Sequence, residues 1–234
     1  MSGRTAYDVA GHYDAGYYED LAARYRTRNR FARQRIANVL SLLPPLDGRV
    51  LVDVGCGMGT FTVEAAHRGA RALGIDFAPE ALPAAAAVAR AEGAERAWFT
   101  RADAVHMPLR DDSADVVVAA DITEHLDDAT LRGVLSDVRR VLRSGGTFVV
   151  YTPESSHLFE RLRDAGMMKQ DPSHIGVRTA QQLAAEVRSA GLDVIDVRWL
   201  PSHLPVFNLL ERAFARWVPL LRRRIGGPIA GLGR

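Results

Sequence analysis

The chain has 234 residues, enough for one domain with a sizeable core, and its 47% hydrophobic and 25% charged residues are the balance of an ordinary soluble globular protein. A formal net charge of +2 gives no global reason to expect nucleic acid, and a single cysteine, Cys56, excludes a disulfide framework and a cysteine-built metal site. No apolar run approaches the roughly 18 residues of a membrane span, and the start lacks the apolar core of a secretory signal, so the expected location is the cytoplasm.

Residues 1–45 read as helical and carry Tyr7, Tyr13, Tyr17 and Tyr18 ahead of a basic run from Arg24 to Arg35. Tyr13, Tyr17 and Tyr18 are candidate substrate contacts in a lid; the competing reading is a helix that packs its aromatics on the body of the fold. The basic run could hold a phosphate, but a solvated helix face is preferred. From Val50 the pattern alternates. Val50–Val54 is a β-branched run, Phe61–Arg68 a helix stopped at Gly69, and Arg71–Ile75 a second strand. An alanine-rich helix, Glu80–Ala91, stops at Gly93, and Ala97–Arg101 is a third strand. Asp115–Ala120 is apolar throughout, as in a strand covered on both faces. Asp128 is expected to cap a helix whose apolar positions Leu131, Val134, Leu135, Val138 and Val141 recur at helical spacing, with Arg143–Gly146 as its stop. Thr147–Tyr151 is the fifth strand. Thr179 with Gln182 predicts a capping box for a helix running to Gly191, and Leu192–Leu200 is the sixth strand. Strands alternating with helices predict a single α/β domain, a doubly wound and mainly parallel sheet.

The chemistry concentrates at strand ends. Gly55, Gly57 and Gly59 follow the first strand, where a glycine turn brings backbone N–H groups and a helix start against a ligand. The spacing is not the dinucleotide G-x-G-x-x-G, because Thr60 stands where a third glycine would be. Asp53 would repel a pyrophosphate but suits a ligand with a cationic group. Asp76 closes the second strand, 23 residues on, where an acid accepts from ribose hydroxyls, and Asp103 past the third could accept from an adenine amino group. Together the three acids describe an amino acid joined to adenosine.

The stretches "VDVGCGMGTFT", "GIDFAPEAL", "ADAVHMPLRDDSADVVVAADITEHL" and "VLRSGGTFVVYTP" resemble, in order, the motifs of class I S-adenosylmethionine-dependent methyltransferases, nearest to the small-molecule branch that includes quinone-biosynthesis (type 11) enzymes. The resemblance covers roughly residues 46–200. It implies a Rossmann-like sheet of seven strands with a final antiparallel strand near Pro228–Gly233, and S-adenosyl-L-methionine as cofactor. It places Asp53, Gly55, Cys56, Gly57 and Gly59 at the methionine end, Asp76 and Phe77 at the ribose, Asp103 and Ala104 at the adenine, and Ala120 and His125 on the methionine side.

Methyl transfer from a sulfonium needs alignment, exclusion of water and, for some acceptors, a base. The segment after strand four is "DITEHL", without the proline-proline-aromatic signature of the base-modifying amino-methyltransferases, so nucleic acid is not expected. The acceptor is expected to be small, apolar or lipid-linked, methylated on oxygen or nitrogen. A macromolecular acceptor, a non-catalytic binding module and a nicotinamide enzyme are the alternatives. His125, His157 and His174 are candidate bases, since an imidazole near pKa ~6.5 suits a hydroxyl or protonated amine; His125 and His174 are the leading pair, and His174 sits where relatives often carry a pocket histidine. Asp121, Glu124 and His125 share the spacing of a metal-assisted subset, but no metal is expected, Glu124 serving to hold a loop. Finally, 207–224 is an amphipathic, basic segment with Trp217 on its apolar face and Arg222–Arg224 at its end. It either covers the acceptor pocket or rests on an anionic membrane surface.

Overall fold

The computed structural model describes residues 5, 14–27, 29–153, 155, 166, 172–200 and 232–233. Two helices come first, α1 (Ala15–Thr27) and α2 (Arg30–Leu40), the second opened by the Asn29 side chain accepting from Ala32 N–H. Then follow β1 (Val50–Val54), α3 (Thr60–Ala66), β2 (Arg71–Asp76), α4 (Ala81–Ala91), β3 (Ala97–Arg101), β4 (Ala114–Ala120), a single 3-10 turn (Thr123–His125), α5 (Asp128–Val141), β5 (Leu142–Tyr151) and α6 (Ala180–Ser189). The five strands pair in parallel in the order β3-β2-β1-β4-β5. The order reverses between β1 and β4, the switch point where ligands of such sheets bind.

The two-residue period of the strands sorts the core into two layers. Leu51, Val116, Val118 and Val149 pack with Val39 of α2 and with Phe61 and Val63 of α3. Val52, Val54, Val117, Ala119 and Phe148 pack with Leu131, Val134, Leu135 and Val138 of α5 and with Leu183 and Val187 of α6 on the other face. Fully burying each such side chain contributes about 1.5–3 kcal/mol, which is why the continuous apolar run in β4 is tolerated only under helices on both faces.

Several expectations need correction. Seven strands with a final antiparallel one were expected; five form the body of the sheet. Beyond β5, among the described residues, lie two-residue pairings alone, Asp193–Val194 and Leu232–Gly233, the latter antiparallel to both neighbours. The strand expected over 192–200 is therefore cut to two residues, with Ile195 and Trp199 exposed. The cap of α5 is Asp127, one residue early, because its carboxylate accepts from Ala129 and Thr130 N–H. Arg143–Gly146 does not separate helix from strand: β5 begins at Leu142 and carries the left-handed Gly145 inside a register shift against Ala114 and Val116. The Thr179–Gln182 capping box forms in both directions. Tyr13, His157 and the amphipathic segment 207–224 lie outside the described residues. Among the described residues no helix is long and apolar enough to cross a membrane.

Candidate functional site

The chain leaves β1 through a turn in which Gly55 and Cys56 both donate N–H to Ile75 O, at 2.9 and 3.0 Å, and Gly59 donates to Cys56 O at 2.8 Å. All three loop glycines are left-handed, with φ of 68° at Gly55, 52° at Gly57 and 81° at Gly59. At two of them packing adds to the conformational demand: a Cβ would stand 2.5 Å from Ile122 Cδ1 at Gly55 and 2.7 Å from the Phe99 ring at Gly59. Gly57 differs. Its nearest neighbour in that direction is the Tyr18 ring, 3.7 Å away, so the loop keeps a cradle there that a side chain would fill. Cys56 is buried, and burial pushes its thiol pKa well up, so it remains a neutral thiol.

The acids take unequal positions. Asp76, at the tip of β2, accepts from Gly57 N–H through Oδ2 (2.8 Å) and from Ala78 N–H through Oδ1 (2.9 Å). Each oxygen keeps further acceptor capacity. Burial raises its pKa. Asp53 is fully buried beneath the loop, where its Oδ2 accepts from Thr62 N–H (3.0 Å) and Thr62 Oγ1 (2.8 Å). Burial raises its pKa to about 6, against the Thr62 bonds and the Arg35 cation that lower it. Asp103 is half-buried and accepts from Val105 N–H at 3.1 Å, next to the half-buried Ala104. Phe77 is exposed, with the Arg101 guanidinium over its ring at 5.6 Å. Ala120 is buried at the end of β4.

The aromatic candidates separate. Tyr18 is buried against Ala78 and Ala81, above the glycine loop, whereas Tyr17 is exposed. Tyr25 of α1 donates to the buried Glu64 of α3 at 3.2 Å, tying the helical segment to the sheet.

On the β4 side the site is built from side chains. Asp121 follows β4 with a left-handed φ of 55° and pairs with Arg35 Nε of α2, whose guanidinium lies 4.7 Å from the Phe61 ring centroid. Burial alone would lower the Arg35 pKa; the Asp121 carboxylate outweighs it and the pKa rises. One turn along α2, buried Asn38 donates to Tyr151 Oη at 3.3 Å. Glu124 is fully buried; Thr152 Oγ1 donates to its Oε2 at 2.9 Å, and burial, with Asp121 nearby, raises its pKa to about 8. His125 Nδ1 lies 3.1 Å from Ser173 O, and its ring meets His174 edge-on with centroids 4.9 Å apart. Arg178 fastens this corner, donating to Thr123 O, Leu126 O and Gly176 O while pairing with Asp128.

The structure thus brings His125 and His174 together, with Glu124 beside them, and it pairs Asp121 with Arg35. Sequence reasoning missed Arg35, which had been grouped with a solvated basic run. Arg26, Arg30 and Arg33 are indeed exposed, but Arg35 shares a helix face with buried Asn38 and Val39. That phase, positions i, i+3 and i+4, was the signal available.

Residues 51–146 match the family described as methyltransferase domain. Norajmaline N-methyltransferase of Rauvolfia serpentina is 26% identical over 203 residues, 85% of this chain and 66% of that protein. 24-Methylenesterol C-methyltransferase 2 of Oryza sativa is 28% identical, over 80% of this chain and 53% of that protein. Among solved structures, an S-adenosylmethionine-dependent methyltransferase from Aquifex aeolicus superposes with a TM-score of 0.64 at 16% identity, over 80% of this chain and 93% of that one. The chain spans about half the length of the curated relatives it matches. Residues 51–146 are thus a methyltransferase domain set in the fold of S-adenosylmethionine-dependent methyltransferases, with S-adenosyl-L-methionine as its cofactor.

Proposed function

We propose that the chain transfers a methyl group from S-adenosylmethionine to an oxygen or nitrogen of a small, apolar acceptor by in-line displacement. The observation that carries this reading is the adjacency of two built regions. Ile122, which packs on Gly55 of the cofactor loop, leads within three residues to the Glu124, His125 and His174 cluster. The cofactor supplies an already activated methyl group. The chain's own residues do the rest. Asp76 and Phe77 take the ribose, Asp103 and Ala104 the adenine, and Gly55 to Gly59 with Asp53 and Ala120 the methionine end. Tyr18 roofs the loop and excludes water. The Glu124, His125 and His174 cluster is where the acceptor's proton is removed. A sterol acceptor, named for one relative, is apolar. Methyl-labelled cofactor incubated with the purified chain and a panel of apolar phenols, alcohols and amines tests the reading. Label should enter an organic-extractable product, and calorimetry should find S-adenosylhomocysteine bound and NAD not. NAD bound as tightly, or label appearing only on protein or nucleic acid, would overturn it.

A further inference from the structure

We infer that Glu124, His125 and His174 bind one divalent transition-metal ion of the zinc class. Each residue offers one donor atom, and the three donor atoms all lie within 4.8 Å of one another. Glu124 Oε1 and His125 Nε2 stand 4.0 Å apart. That is too far for a hydrogen bond, and it lies about half an ångström beyond the roughly 3.3–3.6 Å between two donors that share one tetrahedral ion at about 2.0–2.2 Å. The hydrogen bonds around the cluster choose which atoms point inward. Ser173 O can only accept, so the neutral His125 ring carries its proton on Nδ1, 3.1 Å away, and Nε2 keeps its lone pair. A histidine ligand backed by a carbonyl in this way is the usual arrangement at metal centres. Thr152 occupies Glu124 Oε2, which turns Oε1 toward the imidazoles as a single-oxygen donor.

The ligands come from two loops that are stitched together independently of any ion. Gly176 N–H donates to Glu124 O at 2.8 Å, and Arg178 bridges Thr123, Leu126 and Gly176 carbonyls. With the backbone so held, side-chain movements that bring a pair as wide as 4.8 Å closer by about an ångström complete the donor set around an ion. Two imidazoles and one carboxylate suit zinc, cobalt or manganese rather than magnesium or calcium, which prefer oxygen alone. Three protein ligands leave a coordination position for an acceptor oxygen. In that role alone the inference rests on the proposed methyl transfer. Asp121 is not a ligand, since Arg35 holds its carboxylate.

The test reads metal binding without turnover. The full chain, stripped with chelator, is titrated with zinc by calorimetry and with cobalt by visible absorbance. One ion per chain is expected. Glu124→Gln and His174→Ala should each weaken binding beyond the roughly 10–100-fold that loss of an outer partner costs. Asp121→Asn, which tolerates the left-handed backbone, should cost no more than an outer partner does, at most roughly 10–100-fold, and so less than the loss of a ligand. S-adenosylhomocysteine binding by each variant verifies its fold and keeps the cofactor reading separately testable. No zinc or cobalt uptake at micromolar concentration, or uptake that survives the His125→Ala/His174→Ala double change, overturns the inference.

Discussion

The tips of β1 and β2 and the tip of β4 face the same crevice and are made differently. The first region is backbone: three left-handed glycines, loop N–H groups, and acids whose visible partners are main-chain amides and Thr62. The second is side chain against side chain: Arg35 on Asp121, Thr152 on Glu124, His125 on His174, Asn38 on Tyr151. A backbone-built site tolerates little change in conformation. A side-chain-built site can be re-equipped while the fold stands. The contrast predicts that damage at the glycine loop falls on folding and cofactor, and damage near β4 on the acceptor.

The largest effect should come from Gly59→Ala. An L-residue at φ 81° costs about 1–2 kcal/mol, and pressing a methyl group against Phe99 and Ala85 adds about 1–3 kcal/mol. Denaturant midpoints should therefore fall by an amount equivalent to about 2–5 kcal/mol. A midpoint unchanged from the parent would mean that the loop is not held by its backbone, and the contrast would fail at its first term.

Next in size is the proposed cofactor contact. Asp76→Ala removes a charged acceptor worth about 1.5–3 kcal/mol, so S-adenosylhomocysteine should bind roughly 10–150-fold more weakly in a chain that still melts cooperatively. The Ala78 and Gly57 amides lose a partner too, so a small fall in melting temperature is expected alongside. Retained affinity in the folded variant would move the ribose elsewhere.

The same contrast explains what the sequence could reveal. The glycine loop, Asp53, Asp76 and Asp103 lie in short stretches tied to strand ends, so spacing alone locates them. The parallel core strands were legible because burial on both faces leaves continuous β-branched runs, as in β1 and β4. The β4 region draws Arg35, Glu124 and His174 from positions 139 residues apart at the extremes. No local pattern joins them; only the chain path through α2, the β4 tip and the loop before α6 does. The cut of the strand expected over 192–200 has a similar cause. A β-branched stretch records its propensity but not its pairing, and among the described residues Asp193–Val194 finds only Leu232–Gly233 as a partner.

The smallest effect tests where the two regions meet. Asp53 belongs to the backbone-built side, yet the Arg35 cation of the other side acts on it. The Asp53 pKa is raised from 3.8 to about 6 in the folded chain, chiefly by burial. The native state therefore holds a proton that the unfolded chain has released. Stability from this group is fully present below pH about 4 and is lost as pH rises through 6, to a ceiling of about 3 kcal/mol. Asp53→Asn removes that pH dependence, and the difference from the parent isolates it from other titrating groups. Arg35 favours the ionised carboxylate, so Arg35→Gln should push the Asp53 pKa further up and carry the loss of stability to higher pH. Urea unfolding from pH 4 to 8 on the parent, each single variant and the double variant measures the shift. Affinity for S-adenosylhomocysteine at pH 8, where Asp53 is ionised in the parent, should change little with Arg35→Gln. An Asp53 increment that stays at the same pH with and without Arg35 would show the two sides of the crevice to be electrostatically independent.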